Sequence, residues 1–419
     1  MKLSRIGRMS MALAVSVAIG LGMTACGGGT IGFMWVLGTQ FNQIAGFKID
    51  DFTGNLTNSV GSPYSSGGTN PVSLVVKSGG RYVYVINQGN STTAGNIALF
   101  SVGGDGTLTY QTSYSSSGTT PVWATMDAAG TFLYVLDQLD PTNTPVNGVV
   151  PPNASGTGDI TVFASSPDTG RLSLVQNQQL KTPSGTLYSY FPVGSKPTMV
   201  KISGSCLYSL NTGDNSLSPY SLGNGGQLIV PTNSTISTGT NTDGNPRRLT
   251  SINTGGTYVY LTDASATSAS AGGQILPYTV GTNCALNTLT GGAINNLALT
   301  ANPVNSFTES KGLRLYVLNQ STTNTTNANS TISAFSIDST TGKLQPLPDT
   351  ANPYSVGSGP RCMVEDPTNQ YVYTSNNVDG SVTGKLINQN TGQLSALTHG
   401  STFKAVGLAT CLAVSPNVN

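Results

Sequence analysis

Acid–base chemistry in this chain would have to be built from a small stock of groups. There is one histidine, His399, in the segment "LTHGSTFKAVG", and only two glutamates, Glu309 and Glu365. A histidine in such a Gly/Ser/Thr segment is ordinarily a solvated loop residue. Three cations share a context: Lys196, Arg247 and Arg361 each adjoin the proline of a Gly-x-x-Pro-type phrase. Brought together, they would suit a carboxylate or phosphate ligand. Held apart, Lys196 is solvated and the arginines are tied to backbone carbonyls. The aspartates Asp137, Asp140, Asp159, Asp243 and Asp263 fall near polar loops, but no D-x-D-x-D-G pattern marks a calcium site. Cys206, Cys284, Cys362 and Cys411 lack the CxxC or Cys/His spacing that zinc requires. They are expected as disulfides in an oxidising compartment, with three pairings open. No metal and no cofactor is expected.

Whether these groups meet depends on the frame that carries them. Charged residues are 8% of the 419, the formal charge is +1 and no basic block appears, which leaves nucleic acid no electrostatic reason to bind. Hydrophobic residues reach 37%, many in short β-branched runs separated by Gly, Ser, Thr and Asn, which predicts an all-β protein with many turns.

Residues 1–25 read as a leader. Lys2, Arg5 and Arg8 precede the apolar stretch Met9 to Gly22, and "MTACGGG" follows. Small residues before a cysteine resemble the lipobox of bacterial lipoproteins, which implies cleavage before Cys26, lipidation of its thiol and attachment to a membrane by acyl chains alone. The alternative is an ordinary signal peptide with an incidental cysteine. Gly27 stands where an aspartate often means inner-membrane retention, so the expected address is the outer membrane, on either its periplasmic or its surface side.

Within residues 26–419 one phrase recurs. Tyr-x-x-Asn/Asp appears at Tyr84, Tyr134, Tyr208, Tyr260, Tyr316 and Tyr373, with "WVLG" at Trp35 as a worn seventh copy. The steps between copies are about 50 residues, one of them longer, which is the spacing of propeller blades. Around each copy an apolar strand led in by Gly-x-x-Pro, the Tyr strand, a third strand and a Gly-x-Leu hairpin into a fourth follow in the same order. Four antiparallel strands make one blade. The sequence begins mid-blade after the leader and ends on "GLATCLAVSP", which matches only a first strand. Blade 7 is therefore expected to be shared by about residues 31–60 and 405–419, closing a seven-bladed ring without a free edge.

These "YVYVxN" strands, the Gly-x-x-Pro phrases and the blade closed by both ends resemble the YVTN-type, lactonase-like seven-bladed β-propellers, the family of 6-phosphogluconolactonases and muconate-lactonising cycloisomerases. The resemblance covers the mature chain but rests on structural repeat residues. It implies a ring first and lactone hydrolysis second. Members described as catalytic combine His, Glu and Arg, and no position here carries that set, so no catalytic residue is assigned.

The ring sorts the groups onto two faces. Loops joining second to third strands are long, Asp137 to Asp159 most of all, and share a face with the interblade connections and the starts of the first strands. Lys196, Arg247, Arg361 and, through its connection, His399 are expected at that mouth, as is the insertion "KTPSGTLYSYFPVGSKP". Glu309 and Glu365 are expected near the opposite face. The same map pairs Cys206 with Cys284 and Cys362 with Cys411, each bond stapling adjacent blades. The expected function is an envelope-anchored binding or scaffolding propeller whose loop-rich face takes a glycan, small anion or protein. The alternative is a sugar-lactone hydrolase.

Overall fold

The structure, a computed structural model, describes residues 29–143, 156–182, 184–231, 235–255, 258–322 and 330–416. The leader and Cys26 lie outside the described residues. Apart from short 3-10 turns the described residues form β-structure, and none of their helices is long and apolar enough to cross a membrane. Seven sheets form the blades. In blade 1 the order is Pro71–Val76, Tyr82–Asn87, Asn96–Val102 and Leu108–Tyr114. The first strands of the next five blades are Thr119–Met126, Pro197–Ser203, Leu249–Asn253, Ala301–Thr308 and Pro360–Glu365. Each packs against the next around a closed ring.

The seventh sheet joins both ends of the described chain. Thr30–Gly38 pairs with Gln43–Asp50 on one side and with Ala409–Pro416 on the other, Trp35 facing Ala413. Ala409–Pro416 is the innermost strand of this blade, and its neighbours in the ring are the first strands of blades 6 and 1. The blade shared by the two ends is thus observed.

Outer strands differ from the repeat pattern. In six blades the fourth strand is broken, with one piece pairing with each half of the third strand. In blade 6, Leu394–Ala396 pairs with Lys385–Ile387, and Thr402–Lys404 with Ser381–Thr383. The insertion of blade 2 forms a side hairpin, Asn177–Lys181 against Leu187–Tyr188, before Phe191–Ser195 rejoins the third strand. That hairpin does not crown the mouth. Gln178 and Gln179 hydrogen-bond Gln227 and Leu228, so it clasps the outer edge of blade 3.

The repeat tyrosine is an inter-blade tie. Its hydroxyl donates to a carbonyl in the hairpin turn between third and fourth strands of the following blade: Tyr84 to Gly170 (2.6 Å), Tyr260 to Gly342 (3.0 Å), Tyr316 to Gly392 (2.7 Å) and Tyr373 to Gly54 (2.6 Å). Trp35, the worn copy, makes the same tie from its indole N–H to Gly106 (3.2 Å). These hydroxyls are buried, and burial pushes the Tyr84 phenol up to about 12, so it remains a donor.

Two residues before each repeat aromatic, Tyr134 included, a second side chain lies over the turn of the next blade. Phe33, Tyr82, Phe132, Tyr258, Arg314 and Tyr371 cover Gly106, Gly170, Gly226, Gly342, Gly392 and Gly54. Each glycine has positive φ, and an added Cβ would overlap the side chain above it. Between blades 3 and 4 the corresponding positions are Cys206 and Cys284, joined by a disulfide with the Cα atoms 5.6 Å apart. Cys284 keeps the positive φ (58°), and its carbonyl still receives the Tyr208 hydroxyl at 3.0 Å. One covalent joint thus stands where the other blades use a side chain on a glycine. The second disulfide, Cys362–Cys411, links the first strands of blades 6 and 7 beside the closure.

Candidate functional site: the axial channel and the blade 2 carboxylates

First strands run from the loop-rich face to the face of the hairpin turns, and one side of each faces the axis. There they enclose a cavity of about 560 Å³ lined by residues of all seven blades. Its lining reaches Ser78 and Asp127 in the turns after the first strands, so it extends to the turn face. Trp123 and Lys201, from neighbouring blades 2 and 3, project into it. The Lys201 ammonium lies 5.3 Å from the centroid of the Trp123 ring, within the range of a cation–π contact. Lys201 makes no ion pair among the described residues. Burial lowers its pKa.

Glu365, at the end of the blade 6 first strand, lines the same cavity. Burial pushes its carboxyl up to about 7, and the charges of Glu309 and Asp366 add to this, while the Ser310 N–H at 2.9 Å opposes it. Glu309 has a different environment. It accepts from Asn369 (2.9 Å) and lies 3.5 Å from Arg314 in a buried ion pair.

The cations singled out in the sequence do not form one cluster. Lys196 is exposed at the start of the blade 3 first strand, with positive φ (47°), and its carbonyl accepts from Thr212. Arg247 is occupied: Nη1 lies 2.9 Å from Asp263 Oδ2 and Nε donates to the Thr238 carbonyl at 2.9 Å. Arg361 is exposed at the bulge opening blade 6, three blades from Lys196. His399 is exposed in the gap between the two pieces of blade 6's outer strand, on the rim of the ring and away from the axis. Trp123 and Lys201 escaped the sequence reading. The signal was their presence in "TTPVWATM" and "PTMVKI", inner-strand phrases that otherwise carry small or apolar residues.

A second cluster sits at the loop-rich end of blade 2. Where second strand hands over to third, four of the other blades oppose groups that can donate and accept: Asn87 with Asn96, Asn211 with Ser216, Asn319 with Thr331, Asn376 with Ser381. Asn87 Nδ2 donates to Asn96 Oδ1 at 2.8 Å. In blade 4, Asp263 faces Gln274 and is neutralised by Arg247. In blade 2, Asp137 faces Asp159, and both are fully buried. Asp137 accepts from Ser116 (2.6 Å) and Thr161 (3.5 Å). The Asp159 oxygens have no described donor other than the carboxyl of Asp137. Burial pushes Asp137 up to about 7 against the pull of these hydrogen bonds, and burial together with the Asp137 charge raises Asp159 well above its ordinary range. Two buried carboxylates in contact cannot both ionise without a counter-charge, so they share a proton near neutrality. Among the described residues no three His, Cys, Asp or Glu side chains are disposed to hold a metal ion.

The chain matches the family model for "Lactonase, 7-bladed beta-propeller" over residues 31–146 and 328–411, on both sides of the closure. Similar solved structures include the periplasmic gluconolactonase of Pseudomonas aeruginosa, with TM-score 0.64, 16% identity, and 93% of this chain and 100% of that one covered. A Lactobacillus plantarum protein gives TM-score 0.64 and 18% identity, with 92% and 100% covered. A Bacteroides fragilis protein provisionally named a 6-phosphogluconolactonase gives 0.65 and 16%, with 92% and 98% covered. No curated protein sequence matches this chain. At such identities the likeness is one of fold. Taken with the family match and the closed ring of seven blades, it identifies the fold as that of a lactonase-like seven-bladed β-propeller.

Proposed function

We propose that this lactonase-like propeller is a lipid-anchored binding protein of the outer membrane that takes a small, sugar-derived anion in its axial channel. The observation that carries the proposal is Lys201, a half-buried cation over Trp123 in a seven-sided cavity, with no acidic partner among the described residues. A cation held out of water gains from an anion delivered by a ligand. The Trp123 face and the amides and hydroxyls of Asn253, Asn305 and Ser306 supply the apolar and polar contacts a sugar acid needs. The long loops of the other face remain available to a glycan or protein partner. Titration calorimetry of the purified protein against gluconate and 6-phosphogluconate tests the reading. Lys201→Met, which keeps the apolar stem, is expected to lose at least about tenfold in affinity, the scale of one charge-assisted contact. Equal affinity in both proteins would overturn it.

Lactone hydrolysis is the second reading, and Glu365 favours it. A carboxyl near pH 7 in the same cavity has the basicity of a general base. It would take a proton from water as the water oxygen adds to the lactone carbonyl; the ring C–O bond then breaks to give the hydroxy acid. Two of the similar structures carry gluconolactonase names. A sugar-lactone panel decides between the readings. Turnover that rises with pH through about 7 and is abolished by Glu365→Gln would replace the binding reading.

A further inference from the structure

We infer that the hairpin-turn face of the ring lies on the lipid surface, seated by Phe52, and that the loop-rich face points away from it. This inference rests on the lipid-anchor reading above and adds an orientation to it. Second strands run from the turn face towards the loop-rich face, and the described chain enters the ring as the second strand of blade 7, Thr30–Gly38. Whatever precedes Gly29 therefore joins at the turn face. The junction is fixed: the Gly29 carbonyl accepts from the Asp51 N–H at 3.0 Å, within the blade 7 hairpin turn. Cys26 is four peptide steps from Thr30, at most ~14 Å of extended chain. An acylated Cys26 would hold this edge of the ring close to the bilayer.

The turn carries a second, independent sign. Phe52 is 78% exposed, the most exposed of the large apolar side chains among the described residues. Its place, two residues before the turn glycine, is taken by Gly104, Asp168, Asn224, Thr282, Thr340 and Asn390 in the other blades. A large apolar residue occurs only in the blade that carries the chain's entry point. The turn that presents it is rigid. Asp50 accepts from the N–H groups of Phe52 (3.2 Å) and Thr53 (2.9 Å) and from the Thr53 hydroxyl (2.7 Å). From blade 6, Tyr371 donates to the Asp51 carbonyl (3.3 Å) and Tyr373 to that of Gly54 (2.6 Å). An exposed aromatic on a rigid turn beside an acyl anchor matches the two-signal arrangement of stable membrane attachment. Turns of this face carry charges of both signs, Asp51, Asp105 and Asp168 with Arg81, Arg171, Lys311 and Lys343, so the seating rests on the apolar contact of Phe52 and not on a net charge.

The test uses the lipidated full chain in phosphatidylcholine vesicles, with brominated lipid as the quencher. Phe52→Trp is compared with Phe41→Trp, the latter at a half-exposed aromatic (56%) on the loop-rich side of the same blade. A tryptophan at position 52 is expected to lose about half of its added emission, as for a ring ~5–10 Å into the headgroup boundary, with position 41 unchanged. Quenching at 41 but not 52, or at neither, would overturn the orientation. Mass spectrometry of the native protein separates the two claims: absence of acyl chains on Cys26 removes the anchor reading, whereas an acylated protein with an unquenched position 52 removes the orientation alone.

Discussion

Replacing Asp159 by asparagine should make this protein more stable at neutral pH, although Asp159 is fully buried and most substitutions at such sites destabilise. Asp159→Asn puts an amide opposite Asp137, close to the arrangement that blade 1 uses with Asn87 and Asn96. The magnitude follows from Asp137. Its carboxyl is pushed up to about 7 in the fold, against ~3.9 in an unfolded chain, a gap equivalent to ~4 kcal/mol. Between those two values the native state binds more protons than the unfolded state, so stability falls as pH rises. With Asp159 also raised, the fall continues above pH 7. In Asp159→Asn the amide donates to Asp137 and the Asp159 charge is gone, so the Asp159 share of the fall disappears, while burial still holds Asp137 up and keeps the rest. Urea midpoints from pH 5 to 8 are the assay. The wild type should lose stability across the range, the variant should lose less, and the two should differ by ~1.5–3 kcal/mol at pH 8, the scale of a hydrogen bond to a buried charge. A wild type that gains stability towards pH 8 would refute the shared proton, and so would a variant destabilised equally at both ends. Stabilisation of the wild type by added calcium would show that a cation, rather than a proton, bridges the two carboxylates.

Three further outcomes follow from the joints between blades. Tyr260→Phe removes the donor to the Gly342 carbonyl and should cost ~1–2 kcal/mol in urea unfolding, with circular dichroism unchanged. Gly106→Ala must adopt φ near 83° and push against the Phe33 ring, so a loss of at least ~2 kcal/mol is expected; a neutral result would contradict the close packing of that turn. Replacing Cys206 and Cys284 together by alanine opens a 78-residue loop, and the chain-entropy relation gives a loss of ~4 kcal/mol, read as a drop in thermal midpoint.

The ring was legible because its grammar repeats. Tyr84, Tyr134, Tyr208 and their fellows announce second strands, and the unmatched first strand at residues 409–416 shows how the circle closes. Cys362–Cys411 was legible from equivalent points on neighbouring first strands, and Cys206–Cys284 from a shared face of adjacent blades. What those tyrosines do was not, because their partners are carbonyls 76 to 86 residues further on, or 319 back across the closure, brought near only by the stacking of blades. That Lys201 and Glu365 line the axial cavity stayed hidden for a related reason. Strand alternation alone cannot tell which residue faces the axis, since the first strands carry bulges, between Pro197 and Met199 for one, that shift the register. The acidic pair needed the register of Asp137 against Asp159 across a long loop. The arginines mislead in the opposite sense: Arg247 reads as a free cation beside a proline until Asp263 is seen to neutralise it.

The shared blade also sets a timetable. Thr30–Gly38 is almost wholly buried, yet its partner on the inner side, Ala409–Pro416, leaves the ribosome after every other described strand of the ring. Until then the most apolar second strand, "TIGFMWVLG", waits with one edge unpaired, open to any other strand that reaches it. Six blades can form in order as they emerge, but the ring is finished by its last strand. Agents that shelter nascent chains therefore have one distinct client here, the first strand made, and one distinct moment to release it.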